Sequence, residues 1–200
     1  MTEERGRSTE RLIVCGVAGS LRRGSYNRSL LRTAPELAPA EMEIRIFDRI
    51  AEIPLFNADV EAEGDPEPVQ ALKQAVAEAD ALLIATPEYN HGLLAVTKNL
   101  VDWASRPAGR SVLVNKPTAI MGATPGMAGT TRAQAALRQS LVTTRTPVLI
   151  HPQVLVNRAR GKFDAQGRLE DEDTRDHIRA LLEGLQEWTR RLLCNPGGTA

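Results

Sequence analysis

Two short stretches of this 200-residue chain are apolar at every consecutive position: Leu12-Ile13-Val14-Cys15-Gly16-Val17 and Ala81-Leu82-Leu83-Ile84-Ala85. A strand with one wet face alternates apolar and polar residues. A strand apolar throughout is buried on both faces. Such strands need a layer above and a layer below, which a parallel sheet between helices supplies.

The rest of the chain provides those layers. Leu30, Leu31, Ala34 and Leu37 fall at helical spacing, ending near Pro39, with Pro35 expected to shorten or kink the helix. Val69, Leu72, Val76 and Ala79 trace a second helix face, Ala133, Ala136, Leu137 and Leu141 a third. Ile178, Leu181, Leu182, Leu185, Trp188 and Leu192 trace a long C-terminal one. Met42, Ile44 and Ile46 alternate with charged residues, the pattern of a strand nearer an edge. Thr118–Met121 is a further strand, and Val148–Ile150, with Val154–Val156, the last; 50–67 reads as irregular. The alternation predicts an α/β fold: a flavodoxin-like, doubly wound, five-stranded parallel sheet of order 2-1-3-4-5 with helices on both faces. Ligands of such sheets bind at the carboxyl ends of the strands, where strands 1 and 3 diverge.

Two loops occupy that position. The first, Gly19-Ser20-Leu21-Arg22-Arg23-Gly24-Ser25-Tyr26-Asn27, holds hydroxyls, guanidiniums and an amide, and runs into a helix. The N–H groups and dipole of a helix N-terminus favour an anion, and Ser20, Arg22 and Ser25 can each donate to a phosphate oxygen. The plainer alternative is a helix cap, with Ser25 as N-cap and the arginines solvated. Gly19 and Gly24 have the P-loop spacing, but Ser25 and Tyr26 stand where Lys and Ser/Thr are required. The dinucleotide pattern GxGxxG is absent too, which leaves a single phosphate monoester as the better fit. The second loop is Thr86-Pro87-Glu88-Tyr89-Asn90-His91-Gly92. Tyr89 can lie beside a flat ring, and backbone groups from Glu88 to Asn90 can bond its polar edge. The alternative is a proline turn closing a strand.

At these loops the chain resembles the NADPH-dependent FMN reductases, a family that includes quinone, chromate and azo-dye reductases. Gly19 to Asn27 matches the family's FMN-phosphate loop and Pro87-Glu88-Tyr89-Asn90 its isoalloxazine loop. Lys98 to Trp103 and Arg132 to Gln139 are similar to further family segments, and the likeness runs over residues 12–160. The resemblance implies that Ser20, Arg22, Ser25, Tyr26 and Asn27 bind the phosphate and ribityl end, and Pro87, Glu88, Tyr89 and Asn90 the ring. It implies that the turn at Gly122, Ala123 and Thr124 closes the site, where N–H groups are expected to face the N1–C2=O edge of the ring. It also implies NAD(P)H as co-substrate, a quinone or similar acceptor (chromate, an azo compound, free flavin), and a homodimer or homotetramer. The flavin carries the chemistry, so no catalytic side chain is assigned. Residues 11–194 are expected to form one FMN-binding domain between flexible tails, 1–10 and 195–200. Departures from the family pattern fall at Gly92, Leu94, Ala123 and Pro125.

Charge and cysteine content narrow the alternatives. Lys plus Arg equals Asp plus Glu, 25 each, which argues against nucleic acid and against a membrane surface. It also weighs against a flavodoxin-type electron carrier, one rival reading; a flavin-less sensing or structural module is another. Two Cys cannot build a disulfide scaffold and suit a reducing cytoplasm. No apolar run approaches the ~20 residues of a spanning helix. His91, His151 and His177 lack metal-ligand spacing, so no metal is expected. The basic residues Arg158, Arg160, Lys162 and Arg168 read as solvated. Glu170 to Asp173 reads as an acidic start to the last helix.

Overall fold

The computed structural model describes residues 11–194, so both expected tails lie outside the described residues. Five parallel strands form one sheet: β1 (Leu12–Ala18), β2 (Met42–Phe47), β3 (Ala81–Ala85), β6 (Thr118–Ala123) and β7 (Val154–Val156). Their spatial order is β2-β1-β3-β6-β7, which is 2-1-3-4-5 when the sheet strands alone are counted. A separate two-stranded hairpin, β4 (Glu88–Tyr89) and β5 (Gly92–Leu93), follows β3.

The helices are α1 (Tyr26–Leu37), α2 (Ala58–Glu63), α3 (Glu67–Glu78), α4 (Ala95–Ala104), α5 (Thr131–Thr143) and α6 (Glu172–Cys194). Successive side chains of a strand point to opposite faces. Val14, Leu83, Ala119 and Met121 therefore meet α1 and α6 on one side of the sheet. Cys15, Val17, Leu82, Ile84 and Ile120 meet α3, α4 and α5 on the other. The two apolar runs of β1 and β3 are thus explained by two cores. Trp103 is fully buried in the second core, where its indole N–H donates to the Pro54 carbonyl at 2.8 Å.

Three local features differ from the sequence reading. α1 continues through Pro35 to Leu37. The proline sits in the last turn, where one missing N–H removes little of the helix. The last strand is Val154–Val156, while Val148 makes only an isolated bridge to Thr118. Pro147 and Pro152 flank the segment between and cannot donate to a ladder. The 50–67 stretch holds the short helix α2, capped by the Asn57 side chain on the Asp59 N–H. No described helix is long and apolar enough to cross a membrane.

Candidate functional site

The sheet ladder continues past the strand ends and fixes three loops side by side. The Gly19 N–H donates to Ala85 O, the Thr86 N–H to Met121 O, and the Thr124 N–H to Val156 O, each at 2.9 Å. Gly19 lies so close to α4 that a Cβ there would sit 1.9 Å from Thr97 Oγ1. Only glycine lets the first loop pass.

A cavity of about 210 Å³ opens between these loops. Nine of the residues expected at the site line it: Ser20, Arg22, Ser25, Tyr26, Asn27, Pro87, Glu88, Tyr89 and Ala123. Asn90 and Gly122 do not. Asn90 and His91 form the two-residue tip of the β4–β5 hairpin, both left-handed with φ of 49° and 61°, the geometry a type I′ turn requires. At Gly122 a Cβ would meet Thr130 Oγ1 at 2.1 Å, so this position allows α5 to approach β6.

Ser25 bears on both readings of its loop. It stands at the N-cap position of α1, is buried, and makes no capping hydrogen bond with its side chain. A helix start leaves its first N–H groups without intrahelical partners. Here Ser25 and the first two residues of α1, Tyr26 and Asn27, line one cavity with Ser20 and Arg22. An uncapped, dipole-positive helix end of this kind suits a phosphate. The guanidinium of Arg22 lies over the Tyr26 ring, 5.8 Å from its centroid.

Asn27 is engaged elsewhere. Its amide donates to Ala123 O and accepts from the Ala123 N–H, both at 2.9 Å, tying the start of α1 to the end of β6. That pairing and the Thr124 N–H bond to Val156 O commit the Ala123 and Thr124 N–H groups of the turn after β6 within the protein.

Glu88 is likewise committed. Its carboxylate accepts from the Arg132 and Ala133 N–H groups at 3.0 and 3.2 Å, the second and third residues of α5. Thr130, the N-cap of α5, makes no capping bond of its own, so Glu88 caps the helix from another loop. Burial pushes the Glu88 carboxyl up. The Ala133 and Arg132 N–H groups and the Arg132 guanidinium outweigh it, and hold the carboxyl below the usual range. The side chain of Glu88 therefore anchors the second loop at the cavity it lines. Tyr89 remains more than half exposed.

Thr124, Pro125 and Arg160 also line the cavity. Arg160 was read as a solvated cation. Its neighbours are paired within the segment: Lys162 with Asp171 at 2.5 Å and Arg168 with Asp164 at 2.7 Å. A larger hollow of about 460 Å³ lies between the C-terminal ends of α4 and α5. Ser105, Ser111, Ser140 and Thr144 there donate to nearby backbone carbonyls.

A parallel sheet in this order, with a cavity at the carboxyl ends of its strands, defines a flavodoxin-like fold. The family model described as NADPH-dependent FMN reductase matches residues 13–161, and the chain belongs to that family of FMN- and NAD(P)H-dependent oxidoreductases. It is 48% identical over 179 residues to an NAD(P)H-dependent FMN reductase of Pseudomonas aeruginosa, covering 90% of this chain and 96% of the relative. It is 39% identical over 186 residues to a quinone reductase of Escherichia coli, covering 92% and 98%. Among solved structures it is similar to FerB, a flavoenzyme NAD(P)H:(acceptor) oxidoreductase from Paracoccus denitrificans. There the TM-score is 0.81 at 32% identity, covering 90% of this chain and 98% of FerB. The free Ser25 hydroxyl and the uncapped start of α1 fit the phosphate of FMN.

Proposed function

We propose that residues 11–194 form one FMN-binding domain that oxidises NAD(P)H and reduces a quinone-type acceptor. The observation that carries this reading is the buried, uncapped Ser25 at the start of α1, sharing a cavity with Ser20 and Arg22. Bound FMN supplies the redox chemistry, taking hydride from the nicotinamide and passing it to the acceptor. Ser20, Ser25, Arg22 and the first N–H groups of α1 hold the phosphate. Pro87 and the backbone of Glu88 and Tyr89 support the ring, while Asn27 and Glu88 use their side chains to keep the two loops in place. The Tyr89 ring, exposed at the rim, offers a flat acceptor an aromatic surface. Quinones suit this open site, and chromate, azo compounds and free flavin are the other acceptors to assay.

We further propose a symmetric dimer, or a dimer of dimers, in which a second copy covers the apolar rim. Leu55 and Leu21 are 76% and 49% exposed and line a small hollow against α4. Two unpaired thiols, Cys15 and Cys194, suit a reducing cytoplasm.

The test is direct. Purified protein is expected to be yellow and to release about one FMN per chain on heating. Anaerobically, NADH or NADPH is then expected to reduce the bound flavin, with continued turnover only when a quinone is present to reoxidise it. Release of FAD, or failure to bind any flavin on reconstitution, overturns the assignment. A monomer mass by light scattering at micromolar concentration overturns the dimer.

A further inference from the structure

We propose that Arg160 is a second guanidinium for the phosphate of the cofactor, delivered by the segment after β7. The inference rests on the flavin reading above. Arg160 lines the same cavity as Ser20, Arg22 and Ser25. Its position is set by backbone bonds of the two residues just before it: the Arg158 N–H donates to Gly126 O at 2.9 Å and the Ala159 N–H to Thr124 O at 3.1 Å. Arg158 is left-handed, with φ of 46°, and Ala159 is fully buried. The short 3-10 turn Ala159–Gly161 is therefore held against the loop after β6, and Arg160 is its central residue.

Two sets of contacts tie this turn to the start of α1. Asn27 hangs the start of α1 over the end of β6 through its pair of bonds to Ala123. β7 is the next strand in the sheet, so the chain leaving it emerges beside that helix start. Tyr26 joins the two segments: the Phe163 ring packs on one side, centroids 5.1 Å apart, and the Arg22 guanidinium lies 5.8 Å from the same ring.

Charge supports the assignment. Among the described residues, Lys162 and Arg168 have carboxylate partners, whereas Arg22 and Arg160 have none. Glu88, the acidic residue lining the cavity, is committed to α5 and Arg132. The cavity thus presents two unpaired cations and a positive helix end. A phosphate monoester carries nearly two negative charges at neutral pH, which matches that count better than one guanidinium does.

The experiment titrates flavin-depleted full-length protein with FMN and, separately, with riboflavin, which lacks the phosphate. Arg160→Ala is expected to weaken FMN binding about tenfold to a hundredfold, the usual effect of losing a charged hydrogen-bond partner. Riboflavin binding should change less than about threefold, which also reports that the variant is folded. Arg160→Lys should recover part of the FMN affinity, since an ammonium keeps the charge but not the fork. Equal loss for both flavins, or no loss for FMN, overturns the inference while leaving the flavin reading standing. A lowered flavin midpoint potential with unchanged FMN affinity also overturns it, by placing Arg160 at the ring. A parent protein that binds neither flavin overturns the flavin reading, and this inference with it.

Discussion

Asn27 holds Ala123 by both ends of its amide, donating to the carbonyl and accepting from the N–H across 96 residues of sequence. The contact is buried and joins α1, which follows the first loop, to β6, the strand beside the second. Asn27→Ala leaves two backbone groups of Ala123 unpaired in a dry setting. That should cost about 2–4 kcal/mol. The check is a urea melt of the flavin-free protein, in which an unchanged midpoint would show that the clamp carries no stability.

Glu88 predicts a pH dependence. Its native carboxyl lies below the usual value of 4.5, so the unfolded chain takes up its proton first as pH falls. The stabilisation is complete above that usual value and is lost as pH drops through the native one. Glu88→Gln should cost about 1–2 kcal/mol at pH 7, the range of a lost helix cap. The gap between parent and variant should narrow on acidification below the usual carboxyl value. Melts from pH 7 to pH 3 test this, and a gap constant with pH would refute the anchoring role of the charge.

The two apolar runs made the sheet legible, because only burial on both faces explains them. The polar residues of the first loop were legible from residue types alone, and the fold brings them to one cavity. What could not be read were contacts between distant segments. The hairpin tip has Asn90-His91 where a glycine signal would have marked a type I′ turn. Asn27 and Glu88 carry groups that suit a ligand, and only the fold shows them turned to Ala123 and to α5. Arg160 looks like Arg158, Lys162 and Arg168 in sequence. The backbone bonds of its turn to Thr124 and Gly126 single it out.

The thiols should behave unequally. Burial pushes the Cys15 thiol up to about 12, with nearby Lys116 opposing it, whereas Cys194 is exposed. The thiolate is the reactive form. At pH 8 the folded protein should therefore react with an aromatic disulfide at Cys194 alone, and the denatured chain at both cysteines. Rapid labelling of Cys15 in the native state, located by peptide mapping, would contradict the burial of β1.

Arg22 and Arg23 are adjacent, yet they should differ sharply. Arg22 lines the cavity and lies over Tyr26, whereas Arg23 does neither. Losing a charged partner of a sequestered phosphate costs ~2–4 kcal/mol. Arg22→Ala should accordingly weaken FMN binding roughly 30- to 1,000-fold, as about 1.4 kcal/mol corresponds to tenfold. Arg22→Lys should restore only part, because an ammonium cannot form a bidentate fork. Arg23→Ala should change affinity less than about threefold, as exposed charges do. Fluorescence titration of flavin-free protein measures all three. If both alanine variants bind like the parent, hydroxyls and helix N–H groups hold the phosphate without Arg22. If Arg23 is the sensitive position, the loop is the phosphate loop but its guanidiniums are exchanged.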